Sequence, residues 1–465
     1  MKAQQQNVDR VYRDAIAKYG RDLIETYYKR GKTHLKLQEY RQAIKDFDTV
    51  LKLAPQDTKA YLIRGYTYGE MREFGREIAD YTQAICLSPK LAKAYRSRGY
   101  AYGILQRFDE AIADFSRAIQ LAPEYIQAYY NRGCTYNILE EYQKAIADFS
   151  RVIELDPHNA AAYYHRGELY CFLENHPRAL VDFTRVIKLD PSNARAYSSR
   201  GNVNGILLNH HDAIIDYSQA VSIDPLDWQS VYNQGNEYIN LKEYTNALAS
   251  YNEVIRLQPR LISAYKDRAN TYGKLKEFEL AIADYAKVLE FDSKDDEAFY
   301  HRGNAYNFLR EYHQAIVEYD RCIDLNPNHG NAYYNRGVTY SYLGQHQEAI
   351  YNYNEAASLM PKSASIYNNR GNAWQDLKQY QKALADYTEA IFYDSNYSDA
   401  YYNRGSIYHI LQQRKKSLRD LSQAAELFIK QGKTEIAQGI YAKIQNLYGS
   451  PQIDSWFAQQ AQSVV

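Results

Sequence analysis

The chain has few cysteines, few tryptophans, no excess of either charge and no long apolar run. Each shortage removes a class of protein. The four cysteines, Cys86, Cys134, Cys171 and Cys322, lie far apart with no paired spacing. That argues against a disulfide framework and a zinc-ligand pattern, and fits reduced thiols in the cytoplasm. Lysine plus arginine and aspartate plus glutamate both total 56 among 465 residues. With no net charge, neither nucleic acid nor an anionic membrane surface is the expected partner. The opening MKAQQQNVDRVYRDAIAKYG has no apolar core of signal-peptide length, and no later run approaches a membrane span, so membrane insertion is not expected. Against three tryptophans stand 49 tyrosines.

The tyrosines are periodic because the chain is. Steps of 34 residues from Gly31 reach Gly65, Gly99, Gly133, Gly167, Gly201, Gly235, Ala269, Gly303, Gly337, Gly371 and Gly405. A fixed period overrides the usual estimate of domain number from length. Twelve units fill residues 24–431, leaving 1–23 for an N-terminal capping helix that Gly20 would stop, and 432–465 for a capping helix and tail. In the tail, Ile436, Ile440, Tyr441, Ile444 and Leu447 fall on one helical face.

Repeat four, Ile126–Asn159, shows the pattern. With Ile126 as position 1, its first helix carries Tyr129, Gly133 and Tyr136, and its second carries Ala145, Phe149 and Val152 at i, i+4 and i+7. Asp156-Pro157 ends the second helix, because proline lacks the next backbone donor. Position 4 is aromatic in eleven repeats, position 24 is aromatic in eleven, position 20 is alanine in ten and position 32 is proline in nine. The exceptions at position 20 are Glu77 and Ser417. A mid-helix glycine costs about 1 kcal/mol relative to alanine. Its recurrence at position 8 implies close helix contact, with Ala145 the expected neighbour of Gly133.

The series Tyr129, Gly133, Tyr136, Ala145, Phe149 and Pro157, repeated in phase over residues 24–431, resembles the tetratricopeptide repeat. The resemblance implies an all-α fold: a tetratricopeptide-repeat α-solenoid, with antiparallel helix pairs stacked into a right-handed superhelix. It also implies a non-catalytic scaffold whose concave groove binds proteins or extended peptides, with no cofactor and no metal. The alternative is a substrate-recruiting or assembly subunit of an enzyme complex whose catalytic domain is on another chain. Dimerisation stays open.

The chain departs from that family at position 7, where leucine is usual and eleven repeats carry arginine. Position 23 is acidic in ten repeats, so the expectation is an arginine–carboxylate pair joining the two helices of each repeat. The rival reading is an arginine ladder that meets acidic partners.

By the resemblance, positions 2, 5, 6, 9 and 12 face the groove. Asparagine recurs there at position 6 (Asn131, Asn233, Asn335, Asn369, Asn403) and position 9 (Asn202, Asn236, Asn270, Asn304, Asn372). Asparagine is a mediocre helix former, but its amide bonds a peptide unit in both directions. Tyr130, Tyr164, Tyr232, Tyr300 and Tyr334 at position 5 supply apolar surface between the amides. Lys266 and Asn270 begin a clamp for terminal carboxylates, but His301 and Asn335 stand where it needs asparagine and a cation. Charge is uneven along the face: Lys29, Lys32, Lys59, Lys93 and Arg96 make a basic end, opposed at these positions by Glu25. No histidine pair has ligand spacing on one helix.

Overall fold

A computed structural model describes residues 2–448, with side chains from residue 18 onward. Twenty-five α-helices and no strands occupy the described residues. None of these helices is long and apolar enough to cross a membrane. The chain divides into two compact units, Met1–Asn233 and Gln234–Val465, and the division falls inside the first helix of repeat seven, Trp228–Asn240.

Each repeat is a helix pair. In repeat four, Ile126–Ile138 and Tyr142–Leu155 are joined by a turn in which Glu140 adopts φ 59°. Position 15 is left-handed in every repeat, from Gln38 to Gln412, yet only repeat ten places glycine there, as Gly344. The turn caps the first helix: Glu141 N–H donates to the Tyr136 carbonyl over 2.8 Å and Glu140 N–H to Asn137 over 3.0 Å. Where Asn159 precedes the next helix, its side chain accepts from Ala162 N–H over 3.1 Å.

Both helices of each pair feed the core, as Ala162 and Leu169 of a first helix cluster with the second-helix residues of repeat four. Ala145, Phe149 and Val152 are fully buried, as their spacing predicts. Position 8 has a different neighbour from the one expected. A Cβ on Gly133 would stand 3.2 Å from the Phe149 ring and 3.3 Å from Asp148 Cβ, and Ala145 is not among its nearest atoms. The aromatic ring at position 24 is what crowds position 8, although repeat eight accommodates Ala269 beside Tyr285.

The arginine row is internal. Arg132 Nε and Nη2 donate to both oxygens of Asp148 over 2.8 and 2.7 Å, and Nη1 reaches back to Ser116 of the preceding repeat over 2.9 Å. Its guanidinium lies 5.8 Å from the rings of both Tyr129 and Tyr136, so positions 4 and 11 sandwich position 7. The same fork joins Arg166 to Asp182 and Ser150, and Arg404 to Asp420 and Thr388. Among the described residues the expected pair is therefore present in ten repeats, and in eight of them a bond to the previous repeat is added. Where position 23 is Asn352, the preceding repeat supplies the carboxylate, Asp320, to Arg336. An arginine held on three sides by its own scaffold is poorly placed to read a partner.

The N-terminal end departs from the sequence reading. The stop at Gly20 is absent: one helix runs from Lys2 to Lys36. At the other end, Gly432 (φ +75°) breaks the chain before the helix Thr434–Tyr448, whose Ala437, Ile440, Tyr441 and Ile444 pack on repeat twelve. Ile436, expected on that face, is 49% exposed. Gly439 extends the 34-residue series one step beyond Gly405, but a Cβ there would meet nothing within 4 Å, unlike the glycines of position 8. The tail residues Trp456 and Phe457 lie outside the described residues.

Candidate functional site

The asparagines of position 9 are tied to the core. The buried tyrosine at position 24 donates its hydroxyl to Oδ1: Tyr217 to Asn202 over 2.7 Å, Tyr251 to Asn236 over 2.8 Å, Tyr285 to Asn270 over 2.6 Å, and Tyr319 to Asn304 and Tyr387 to Asn372 over 2.8 Å each. Asparagine at position 6 of the next repeat donates to the same oxygen, as Asn233 does to Asn202 (2.9 Å), Asn335 to Asn304 (2.8 Å) and Asn403 to Asn372 (3.0 Å). These amide links join repeats six and seven, nine and ten, and eleven and twelve.

Sequence periodicity alone did not separate the used face of each amide from the free one. Oδ1 of the position 9 asparagines is spent on the scaffold. The Nδ2 groups of Asn202, Asn236, Asn270, Asn304 and Asn372 donate to nothing among the described residues. They are oriented donors, because the tyrosine hydroxyl on Oδ1 holds each amide, and in Asn202, Asn304 and Asn372 a second bond to the same oxygen reinforces it. The signal for this lattice was present in the sequence: all five repeats with asparagine at position 9 have tyrosine at 24, and the four repeats with phenylalanine at 24 have none.

The remaining candidates fall into three groups. Among the described residues the Asn131 side chain makes no hydrogen bond, beside Tyr130, which packs edge-on against Phe149 with centroids 5.7 Å apart. The hydroxyls of Tyr300 and Tyr334 accept from Asn335 (3.1 Å) and Asn369 (2.8 Å), and Tyr164 meets Ser199 at 3.3 Å, so position 5 joins the lattice too. Lys266 is paired with Asp295 at 2.5 Å, which removes it as a free groove cation.

Two clefts open on the first helices, one inside each unit. In the second unit a cleft of 630 Å³ is walled by Asn236, Asn270, Asn304, Tyr251, Tyr285 and Phe308, with Gly273 and Phe278 beside them. In the first unit a larger cleft of 1380 Å³ gathers Lys29, Lys32, Lys59, Lys93 and Arg96 over a floor of Leu62, Ile63, Tyr66 and Tyr100. The basic residues of positions 2, 5, 6 and 9 are thus brought together. Lys36 and Glu77 join them, neither at a position expected to face the groove.

Asp296, Cys322 and His329 bring ligand-type atoms within 4.8 Å of one another. Their chemistry does not suit a cation. His329 Nδ1 accepts from Ala332 N–H over 3.1 Å as a helix cap, which puts the ring proton on Nε2. Asp296 accepts from Asn326 over 2.7 Å, and burial pushes the Cys322 thiol up to about 12. Burial likewise raises Cys134 and Cys171 to about 11, leaving them unreactive.

Family profiles described as tetratricopeptide repeat match residues 24–57, 92–125, 126–159, 160–193, 296–329 and 364–397. Others of that description match 229–261, 262–295, 318–351 and 398–437, and one described as TPR repeat matches 340–378. No curated protein matches the chain. Among solved structures, YrrB, described as a TPR protein with an unusual peptide-binding site, is 23% identical over 40% of this chain and 97% of its own, with a TM-score of 0.37. The Cut9–Hcn1 hetero-tetramer of APC/C is 13% identical over 91% of this chain and 96% of its own, with a TM-score of 0.41. The C-terminal part of a TPR repeat-containing protein from Cytophaga hutchinsonii is 20% identical over 50% and 96%, with a TM-score of 0.46.

Proposed function

The chain belongs to the tetratricopeptide-repeat family, and from that premise we propose that this interaction scaffold binds an extended peptide along its first-helix face. The observation that carries the reading is the row of asparagine Nδ2 groups, each locked by a tyrosine hydroxyl on its Oδ1. Prealigned donors lower the ordering cost of holding an extended backbone, whose carbonyls recur along the strand. In the second-unit cleft Phe308 supplies apolar contact beside the amides of Asn236, Asn270 and Asn304.

The test must spare the lattice, because removing an asparagine also strands a buried tyrosine hydroxyl. Gly273 lines the second-unit cleft, and a Cβ there would meet nothing within 4 Å. Gly273→Trp therefore fills the cleft without disturbing the core. Peptides selected by display on the intact chain are expected to bind this variant at least about tenfold more weakly, which corresponds to roughly 1.4 kcal/mol. Unchanged affinity would move binding away from this face.

A further inference from the structure

Repeat two breaks the alanine rule beside a glycine that makes room for the change. Position 20 is Glu77 and position 12 is Gly69. A Cβ on Gly69 would lie 2.9 Å from the Glu77 carboxyl, so the missing side chain creates the space the acid occupies. Glu77 is 6% exposed and forms part of the wall of the basic cleft. A buried carboxyl is a poor choice for stability where ten other repeats use alanine.

The groups around it define what the cleft suits. Burial, ahead of the opposing hydrogen bond from the Tyr81 phenol, holds the Glu77 carboxyl up at about 7, and Glu70 on the facing helix adds to the rise. The first helix of repeat one presents Lys29, Lys32 and Lys36; the helix Thr58–Glu70 presents Lys59 and Glu70; the turn that follows presents Arg72; and repeat three presents Lys93 and Arg96. Lys29 is paired with Glu25 at 2.7 Å and Arg96 donates to the Tyr125 hydroxyl over 3.2 Å. Lys32, Lys36, Lys59 and Lys93 have no carboxylate partner among the described residues. A ligand cation would enter against all of these charges, whereas a ligand anion would be drawn to them.

We infer that this cleft receives an acidic peptide segment: its carboxylates lie on Lys32, Lys59 and Lys93, an apolar side chain enters between Ile63 and Tyr100, and one carboxylate accepts a hydrogen bond from protonated Glu77. The inference rests on the reading of the first-helix face as the ligand face, and names the partner chemistry for one part of it. An approaching anion favours the protonated acid, so binding takes up a proton. Two acidic groups sharing a proton form a short, charge-assisted hydrogen bond.

The experiment is fluorescence anisotropy on the full chain between pH 5.5 and 8.5 at fixed ionic strength. The probes are a fluorescein-labelled peptide of alternating glutamate and leucine and its lysine–leucine counterpart. The acidic peptide is expected to bind, and to lose about tenfold in affinity from pH 6 to pH 8. Glu77→Gln should keep the binding and abolish its pH dependence. Glu77→Ala, which restores the alanine of the other repeats, should weaken binding and also flatten the profile. Lys59→Glu with Lys93→Glu should cost at least about tenfold and reduce the salt dependence. Preference for the lysine peptide, affinity that rises with pH, or binding of neither peptide would overturn the inference. Gly273→Trp should leave the acidic peptide bound, so failure here and failure of the second-unit peptide site are told apart.

Discussion

The hydroxyl of Tyr319 donates to Oδ1 of Asn304 over 2.8 Å, and Asn335 of the next repeat donates to the same oxygen over 2.8 Å. One buried phenol on the second helix thereby sets the orientation of an amide on the first helix of the same repeat. Core packing and the presentation of a surface donor are the same piece of structure.

Asn304→Ala is expected to destabilise the chain by about 2 kcal/mol, because the fully buried Tyr319 hydroxyl loses its acceptor. Tyr319→Phe should cost about 1 kcal/mol. The pair together should cost less than the sum, since four repeats already combine phenylalanine at position 24 with a residue other than asparagine at position 9. Urea denaturation of the three variants measures the coupling; strict additivity would show that the bond contributes nothing of its own.

Arg336 takes its carboxylate from the preceding repeat, because its own position 23 is Asn352. Asp320→Ala should therefore destabilise more than Thr82→Ala, the equivalent change beneath Arg98, which keeps Asp114. The expected difference is about 1–2 kcal/mol, since a mostly buried guanidinium is left with only neutral partners. Equal melting temperatures for the two variants would contradict it.

Glu140 holds φ 59° without the freedom of glycine. Glu140→Gly should raise stability by up to about 1 kcal/mol, and the same change at Lys276 and Lys378 should add to it, the sites being far apart in sequence. Calorimetry on the single and triple variants checks this. A fall in melting temperature would mean that the loss of helix-terminal side-chain contacts outweighs the relief of backbone strain.

Glu77 links stability to pH. Burial raises its carboxyl from the ordinary 4.5 to about 7 in the folded chain. The folded state then holds a proton that the unfolded chain has released, so its contribution is full below about pH 4.5 and fades as pH rises through 7. Relative to Glu77→Gln, the natural chain should lose no more than about 3 kcal/mol between pH 5 and 8. Parallel melts of both proteins across that range would show it; parallel curves would mean that Glu77 ionises as it does in solution.

The sequence by itself determined the repeat, its phase and its helices, because spacing of apolar residues fixes which face of a helix is buried. It also foretold the pairing of position 7 with position 23, since eleven arginines and ten acids recur in step. Tertiary structure decided what each repeated residue is for. Gly133 answers to the Phe149 ring, a contact made only once two helices pack. Arg132 also bonds Ser116 in the repeat before it, which no pattern within one repeat reveals. The same holds for the asparagines and for Glu77. Periodicity showed that the amides recur and that Glu77 breaks a rule. Only the folded neighbours showed that one face of each amide is already spent, and that an acid at position 20 reaches the wall of a basic cleft through the space Gly69 leaves open.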